Sequence, residues 1–134
     1  MNDPFFDGWN KWVICGSRSI RNPYLVAQCL DEIWATTEHG ALMPVIITGG
    51  AGGVDTFAHK WAMAGGFPTQ VMRADWDKHG KRAGFVRNVA MLDEAGAGGY
   101  VIAIWDGESR GTAHTITEAR KRGMRVTIFR TEGP

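Results

Sequence analysis

Residues 46–62 read IITGGAGGVDTFAHKWA. An apolar, β-branched run stops at four glycines within five residues, and apolar side chains then recur at helical spacing. A strand, a tight turn and a helix in that order form the first half of a strand–helix–strand unit. The glycines admit two explanations. A sharp turn needs residues that tolerate positive φ, and a backbone that must approach a phosphate at a helix N-terminus needs residues without a side chain.

The same alternation extends in both directions. Upstream, KWVIC (11–15) reads as a buried strand. NPYLVAQCLDEIWATTEHG (22–40) reads as a helix with Pro23 in its first turn, Leu25, Cys29, Leu30, Ile33 and Trp34 as its apolar stripe, and Gly40 as a stop. PVIIT (44–48) is the second strand, and the helix at 54–66 closes on two glycines. Downstream, PTQVMRA (68–74) is a third strand and DWDKHGK (75–81) a polar, basic connection. A helix follows at 82–95, with Val86, Val89, Ala90 and Leu92 apolar. YVIAIW (100–105) is a fourth strand, AHTITEARKRG (113–123) a helix and RVTIF (125–129) a fifth strand. Short apolar strands alternating with amphipathic helices predict an α/β fold: a three-layer sandwich around a mostly parallel sheet of about five strands. One domain over residues 11–134 is expected, preceded by an arm at 1–10 whose Phe5, Phe6 and Trp9 pack on it.

The composition narrows the partners. The 134 residues are 44% hydrophobic and 22% charged, with net charge +1. Such a chain folds into an ordinary core and offers no field for coating nucleic acid or an anionic membrane. Neither is an expected partner. Cys15 and Cys29 form no CxxC pair and no metal-ligand cluster, which predicts two buried thiols in a reducing cytoplasm and no metal site. No apolar run approaches the roughly 18 residues of a membrane span, and MNDPFFDGWN lacks the pattern of a signal peptide. Of the six tryptophans, most are expected in the core, and any exposed ones would mark a self-association face.

In open α/β sheets ligands sit beyond the carboxyl ends of the strands. The loops there are GSRS (16–19), GGAGGVD (49–55) and DGESRGT (106–112). Each combines small residues with polar groups near a helix start, which is an anion-binding arrangement. The candidate ligand contacts are Gly16, Ser17 and Arg18; Gly49, Gly50, Ala51, Gly52, Gly53 and Asp55; and Ser109, Gly111 and Thr112. Any single loop could equally be a plain tight turn, with Asp55 no more than a first-turn capping residue. GGAGG is not a P-loop, because no Lys-Ser/Thr follows, and no GxGxxG follows the first strand. Nucleoside-triphosphate hydrolysis and ordinary nicotinamide chemistry are therefore disfavoured.

GKRAGFVRNVAML (80–92) adds Arg87 and Asn88. Arg87 sits among apolar positions, where a planar, always-charged fork suits a phosphate. Lys78, Lys81 and Arg82 read equally well as a solvated turn. Asp55 and His59 are four residues apart on one helix face and favour a structural pair over a catalytic dyad. His114 could face a ligand, whereas His39 reads as a helix-end group. Asp75, Asp77, Asp106 and Glu108 supply carboxylates in the loops, and no spacing selects one as an acid or base.

Taken together, ICGSRS, ITGGAGGVDTFAHKWA, GFVRNVAM and SRGTAHTITEARKRG resemble the SLOG superfamily, over about residues 13–129. That group includes the lonely-guy (LOG) phosphoribohydrolases, the Smf/DprA proteins and the YspA/YpsA-related proteins, and the small stand-alone YspA-type branch is the nearest in form. The resemblance implies a Rossmann-like fold that binds a nucleotide or nucleotide-derived ligand. In LOG enzymes a glycine-rich loop and a PGGxGTxxE loop bind the nucleotide, and an Arg and the Glu assist N-glycosidic cleavage. Gly49, Gly50, Gly52 and Gly53 match the first loop, Arg87 with Met91 the Arg segment, and Ser109, Gly111 and Thr112 the GxGT part. The chain departs where PGG is replaced by GESRG and where Thr115 stands in place of the Glu. The nearest glutamate, Glu118, lies six residues after Thr112.

Three functions follow as expectations. The first is a binding module that senses or sequesters a nucleotide. The second is a nucleoside 5'-monophosphate phosphoribohydrolase, with Arg87 and a carboxylate such as Glu118 or Asp106 as catalytic residues. The third is a structural or nucleic-acid partner with a vestigial pocket. No cofactor is expected in any of them, and the resemblance and the tryptophans lean toward a homodimer.

Overall fold

The computed structural model describes residues 11–37 and 43–131. The expected arm at 1–10 and the helix stop at Gly40 lie outside these residues. The elements run β1 (Lys11–Gly16), α1 (Pro23–Thr36), β2 (Val45–Thr48), α2 (Val54–Ala64), β3 (Thr69–Val71), α3 (Trp76–His79), a 3-10 turn (Gly80–Arg82), α4 (Ala83–Ala95), β4 (Tyr100–Trp105), α5 (Arg110–Lys121) and β5 (Arg125–Arg130). The five strands make one sheet in the order β3-β2-β1-β4-β5. Every pairing is parallel, from Ile46 beside Thr69 to Tyr100 beside Arg125. The fold is thus the expected α/β, Rossmann-like sandwich, with a sheet that is parallel throughout.

Side-chain alternation along the strands builds two cores. Trp12, Ile14, Ile46, Tyr100 and Ile102 face α1 and α2. Val13, Cys15, Ile47, Val101 and Ala103 face α4 and α5. Because both faces are covered, the central strands read as unbroken apolar runs rather than as alternating ones. The first core is rich in aromatic rings. Trp12 meets Trp34 and Tyr100 edge-on at 5.8 and 5.7 Å, and Trp61 stacks on Phe67 at 4.7 Å. Trp12 therefore lies in the interior, and Trp34 and Trp61 pack half-buried against it.

Several boundaries differ from the expected ones for local reasons. β3 spans three residues instead of seven, since its one partner, β2, is itself four residues long. The connection 75–81 contains a helical turn because the Asp75 carboxylate accepts from the Lys78 N–H at 3.1 Å and caps it. α5 begins at Arg110, three residues early, because Ser109 Oγ accepts from the Thr112 N–H. It ends before Gly123, whose φ is 70°. Among the described residues no helix is long and apolar enough to cross a membrane.

The chain runs outward from β1 to β3 and returns to β4 on the other side of β1. That reversal opens a crevice at the carboxyl ends of β1 and β4, the position where open α/β sheets hold ligands.

Candidate functional site

A cavity of about 350 Å³ occupies this crevice. Of the candidate residues, Gly16, Arg18, Ala51, Asp55, Arg87, Asn88, Ser109, Gly111 and Thr112 line it. Gly49, Gly50 and Gly52 line a second hollow of about 380 Å³ that shares Arg18, Ala51, Trp76 and Arg87 with the first. Ser17 and Gly53 lie beneath both. Ser17 is buried, its carbonyl accepts from the Val54 and Ile20 N–H groups, and its hydroxyl accepts from the Asp106 N–H at 3.0 Å. Glu118 lines neither hollow and binds Lys121 at 3.2 Å.

The loop after β2 closes on its own side chains. The Ala51 N–H donates to Asp55 Oδ2 at 3.1 Å. Burial raises the Asp55 pKa, while the Ala51 N–H and the Arg87 charge pull it back down. Asp55 therefore bonds to the glycine loop, and His59 Nδ1 has no hydrogen-bond partner, so the expected Asp55–His59 pair is not formed. A Cβ built at Gly49 would fall 2.5 Å from Arg87 Nη1 and 2.9 Å from Asp55 Oδ2. Glycine at 49 thus makes room for the Arg87 and Asp55 side chains that converge on it.

Arg87 is held from two sides. Its Nη1 donates to the Gly49 carbonyl and its Nε donates to Asn88 Oδ1 at 2.9 Å. Asn88 Nδ2 in turn donates to the Gly111 carbonyl at 3.2 Å. One arginine and its neighbour so tie the β2 loop, α4 and the start of α5 together. Burial lowers the Arg87 pKa, and Asp55 partly restores it. Arg73 donates similarly to the Gly50 carbonyl at 3.1 Å.

The loop after β4 is also wrapped around a carboxylate. Ser19 Oγ donates to Asp106 Oδ2 at 2.6 Å, and the N–H groups of Glu108 and Ser109 donate to Oδ1 at 2.8 and 2.9 Å. These bonds, the Ser19 hydroxyl foremost, hold the Asp106 carboxyl well below the usual carboxylate range. Beside it the Gly111 N–H, in the first turn of α5, makes no hydrogen bond with the described residues. Cys15 lines the cavity from below, and burial pushes its thiol pKa up, away from the thiolate form.

Residues 11–79 match the YspA, cpYpsA-related SLOG family. The chain belongs to this family. It is also 37% identical over 122 residues to the Gene 61 protein of Mycobacterium phage D29, covering 87% of this chain and 94% of that relative. No solved structure matches the chain. The family match covers the β1 and β2 loops, whereas Arg87, Asn88 and the β4 loop lie beyond residue 79.

Ser19, Trp76 and Phe85 are among the lining residues absent from the candidates read in the sequence. Ser19 lies within the GSRS loop and carried a signal by position. Trp76 sits in a polar segment after β3, where a tryptophan has no core to fill. Phe85 looked like one more apolar residue of α4, and its 44% exposure is a property of the fold.

Proposed function

We propose that this protein binds a nucleotide or nucleotide-derived molecule in the cleft above β1 and β4, and acts as a sensor or sequestering module. The observation that carries this is the convergence of Arg18, Lys81 and Arg87 on one cavity whose two carboxylates, Asp55 and Asp106, are already engaged with loop amides. Three positive groups against two negative ones leave an excess positive charge for a phosphate. The open Gly111 N–H adds a donor at a helix N-terminus. The cavity volume suits a small ligand, and membership of the SLOG family supports the nucleotide class.

One observation favours a second reading, N-glycosidic hydrolysis. Asp106 lines the cavity and its carboxyl stays ionised, so it could stabilise an oxocarbenium-like transition state. Glu118 is poorly suited to that task, being paired with Lys121 outside the cavity.

The test is incubation of the purified protein with nucleoside monophosphates, NAD and ADP-ribose, followed by mass spectrometry of free and retained molecules. Retention of an intact ligand, weakened about ten-fold or more in Arg87→Ala through loss of a charge-assisted contact, is the expected result. Free base with ribose 5-phosphate, lost in Asp106→Asn, would establish the second reading. Neither retention nor turnover across the panel would sink both. A homodimer is a separate part of the proposal, resting on the exposed Tyr24 and Met63. A monomer mass at all concentrations in sedimentation equilibrium would remove it.

A further inference from the structure

Two of the large hydrophobic side chains exposed among the described residues line the cavity: Trp76, 52% exposed, and Phe85, 44% exposed. Trp76 sits in α3, which Asp75 caps, and its ring lies over the first turn of α4, where a Cβ on Gly84 would be 3.8 Å from its Cη2. Phe85 follows directly and is backed by the His114 ring, with centroids 4.4 Å apart and planes tilted by 34°. Trp76 makes no ring contact with any described residue. Two aromatic surfaces therefore stand open on the cavity wall, close to the cationic groups of Arg18, Lys81 and Arg87.

Exposed aromatics beside cations match a ligand with a planar ring at one end and an anion at the other. We infer that Trp76 and Phe85 are the stacking platform for a nucleobase, so that the site takes an intact nucleotide and discriminates against a sugar phosphate without a base. This rests on the ligand-binding reading above. Stacking tolerates any base, because every base has a π-face, so the platform sets the ligand class rather than its identity.

The experiment titrates AMP, UMP and ribose 5-phosphate into the wild-type protein and into Trp76→Ala, Trp76→Phe and Phe85→Ala, by calorimetry and by tryptophan fluorescence. AMP and UMP are expected to bind about ten-fold or more tightly than ribose 5-phosphate. Trp76→Ala should remove most of that advantage while leaving ribose 5-phosphate affinity unchanged. Trp76→Phe should keep the affinity and lose the fluorescence quenching by AMP. Equal affinity for AMP and ribose 5-phosphate in the wild-type protein would overturn the platform and leave the phosphate site standing. So would a Trp76→Ala variant that altered only the sedimentation of the protein, since the indole would then cover a second copy of the chain. Failure of all three probes to bind the wild-type protein would remove the binding reading for this ligand class, and the platform with it.

Discussion

The loops after β2 and β4 each fold a carboxylate back onto their own amides, yet the two carboxylates are pushed in opposite directions. Asp55 is 6% exposed and its pKa rises, because burial outweighs the Ala51 N–H and the nearby arginines. Asp106 takes a hydroxyl and two amides at the rim, and its pKa falls, because those donors outweigh the little burial it has. The β2 loop, with four glycines, works as a knot that seats Arg87. The β4 loop, with fewer, keeps a charge and an open amide at the cavity. Glycine density marks where chain packs on chain at least as much as where a ligand comes close.

The largest expected effect breaks the knot. Gly53 has φ 68° and ψ −125°, and a Cβ there would lie 2.6 Å from the Ser17 carbonyl and 2.7 Å from Arg18 Cα. Both obstacles are backbone and cannot swing aside. Gly53→Ala is expected to cost about 3 kcal/mol or more, from strain and overpacking together. In the β4 loop, Gly107 also has positive φ, but the atoms in its way belong to the flexible Arg130 side chain. Gly107→Ala is expected to cost about 1–2 kcal/mol. Urea unfolding measures both, and equal losses would show that the two loops are not mechanically different.

A smaller effect appears against pH. Asp106 has a folded pKa below its unfolded one, so its stabilisation is complete above the ordinary carboxylate pKa of about 4 and is lost as pH falls through the folded value. Asp55 has a folded pKa above its unfolded one, so the folded state holds the proton more tightly. Stability then declines as pH rises from about 4 through the folded value. The two contributions together peak near pH 4. Urea midpoints measured across pH are expected to lose the acid limb in Asp106→Asn and the higher decline in Asp55→Asn. Variant profiles parallel to the parent's would mean that the opposed shifts are absent.

This contrast explains what was legible beforehand. The strands were readable because a parallel sheet covered on both faces needs apolar runs such as VIC and YVIAIW, and the glycine pairs marked helix ends. The loops of the cleft followed from the topology those runs imply. The α3 turn was not readable, since a four-residue helix has no periodicity and only the Asp75 cap betrays it. Exposure of Phe85 depends on which helix faces meet, which no local pattern records, whereas the polar surroundings of Trp76 already set it apart. Glu118 illustrates depth. At about 1.5 Å per residue it lies roughly 9 Å along α5 from Thr112, and its i,i+3 spacing to Lys121 already offered a helix-surface partner, which the fold bears out.

The smallest expected effect is the most direct test of what the glycines do. Gly52 has neither positive φ nor any atom within 4 Å of a built Cβ. Folding therefore makes no demand for glycine at this position, unlike at Gly49 and Gly53. Gly52→Ala is expected to change stability by less than about 0.5 kcal/mol. Yet Gly52 lines the second hollow, and its N–H makes no hydrogen bond with the described residues. If a phosphate meets the β2 loop at this amide, an added methyl group at 52 takes up space beside it. Weaker binding of AMP by a stable Gly52→Ala protein would assign this glycine to the ligand. Unchanged binding would mean that the anion does not meet the Gly52 amide and would leave it to Arg18, Arg87 and the start of α5.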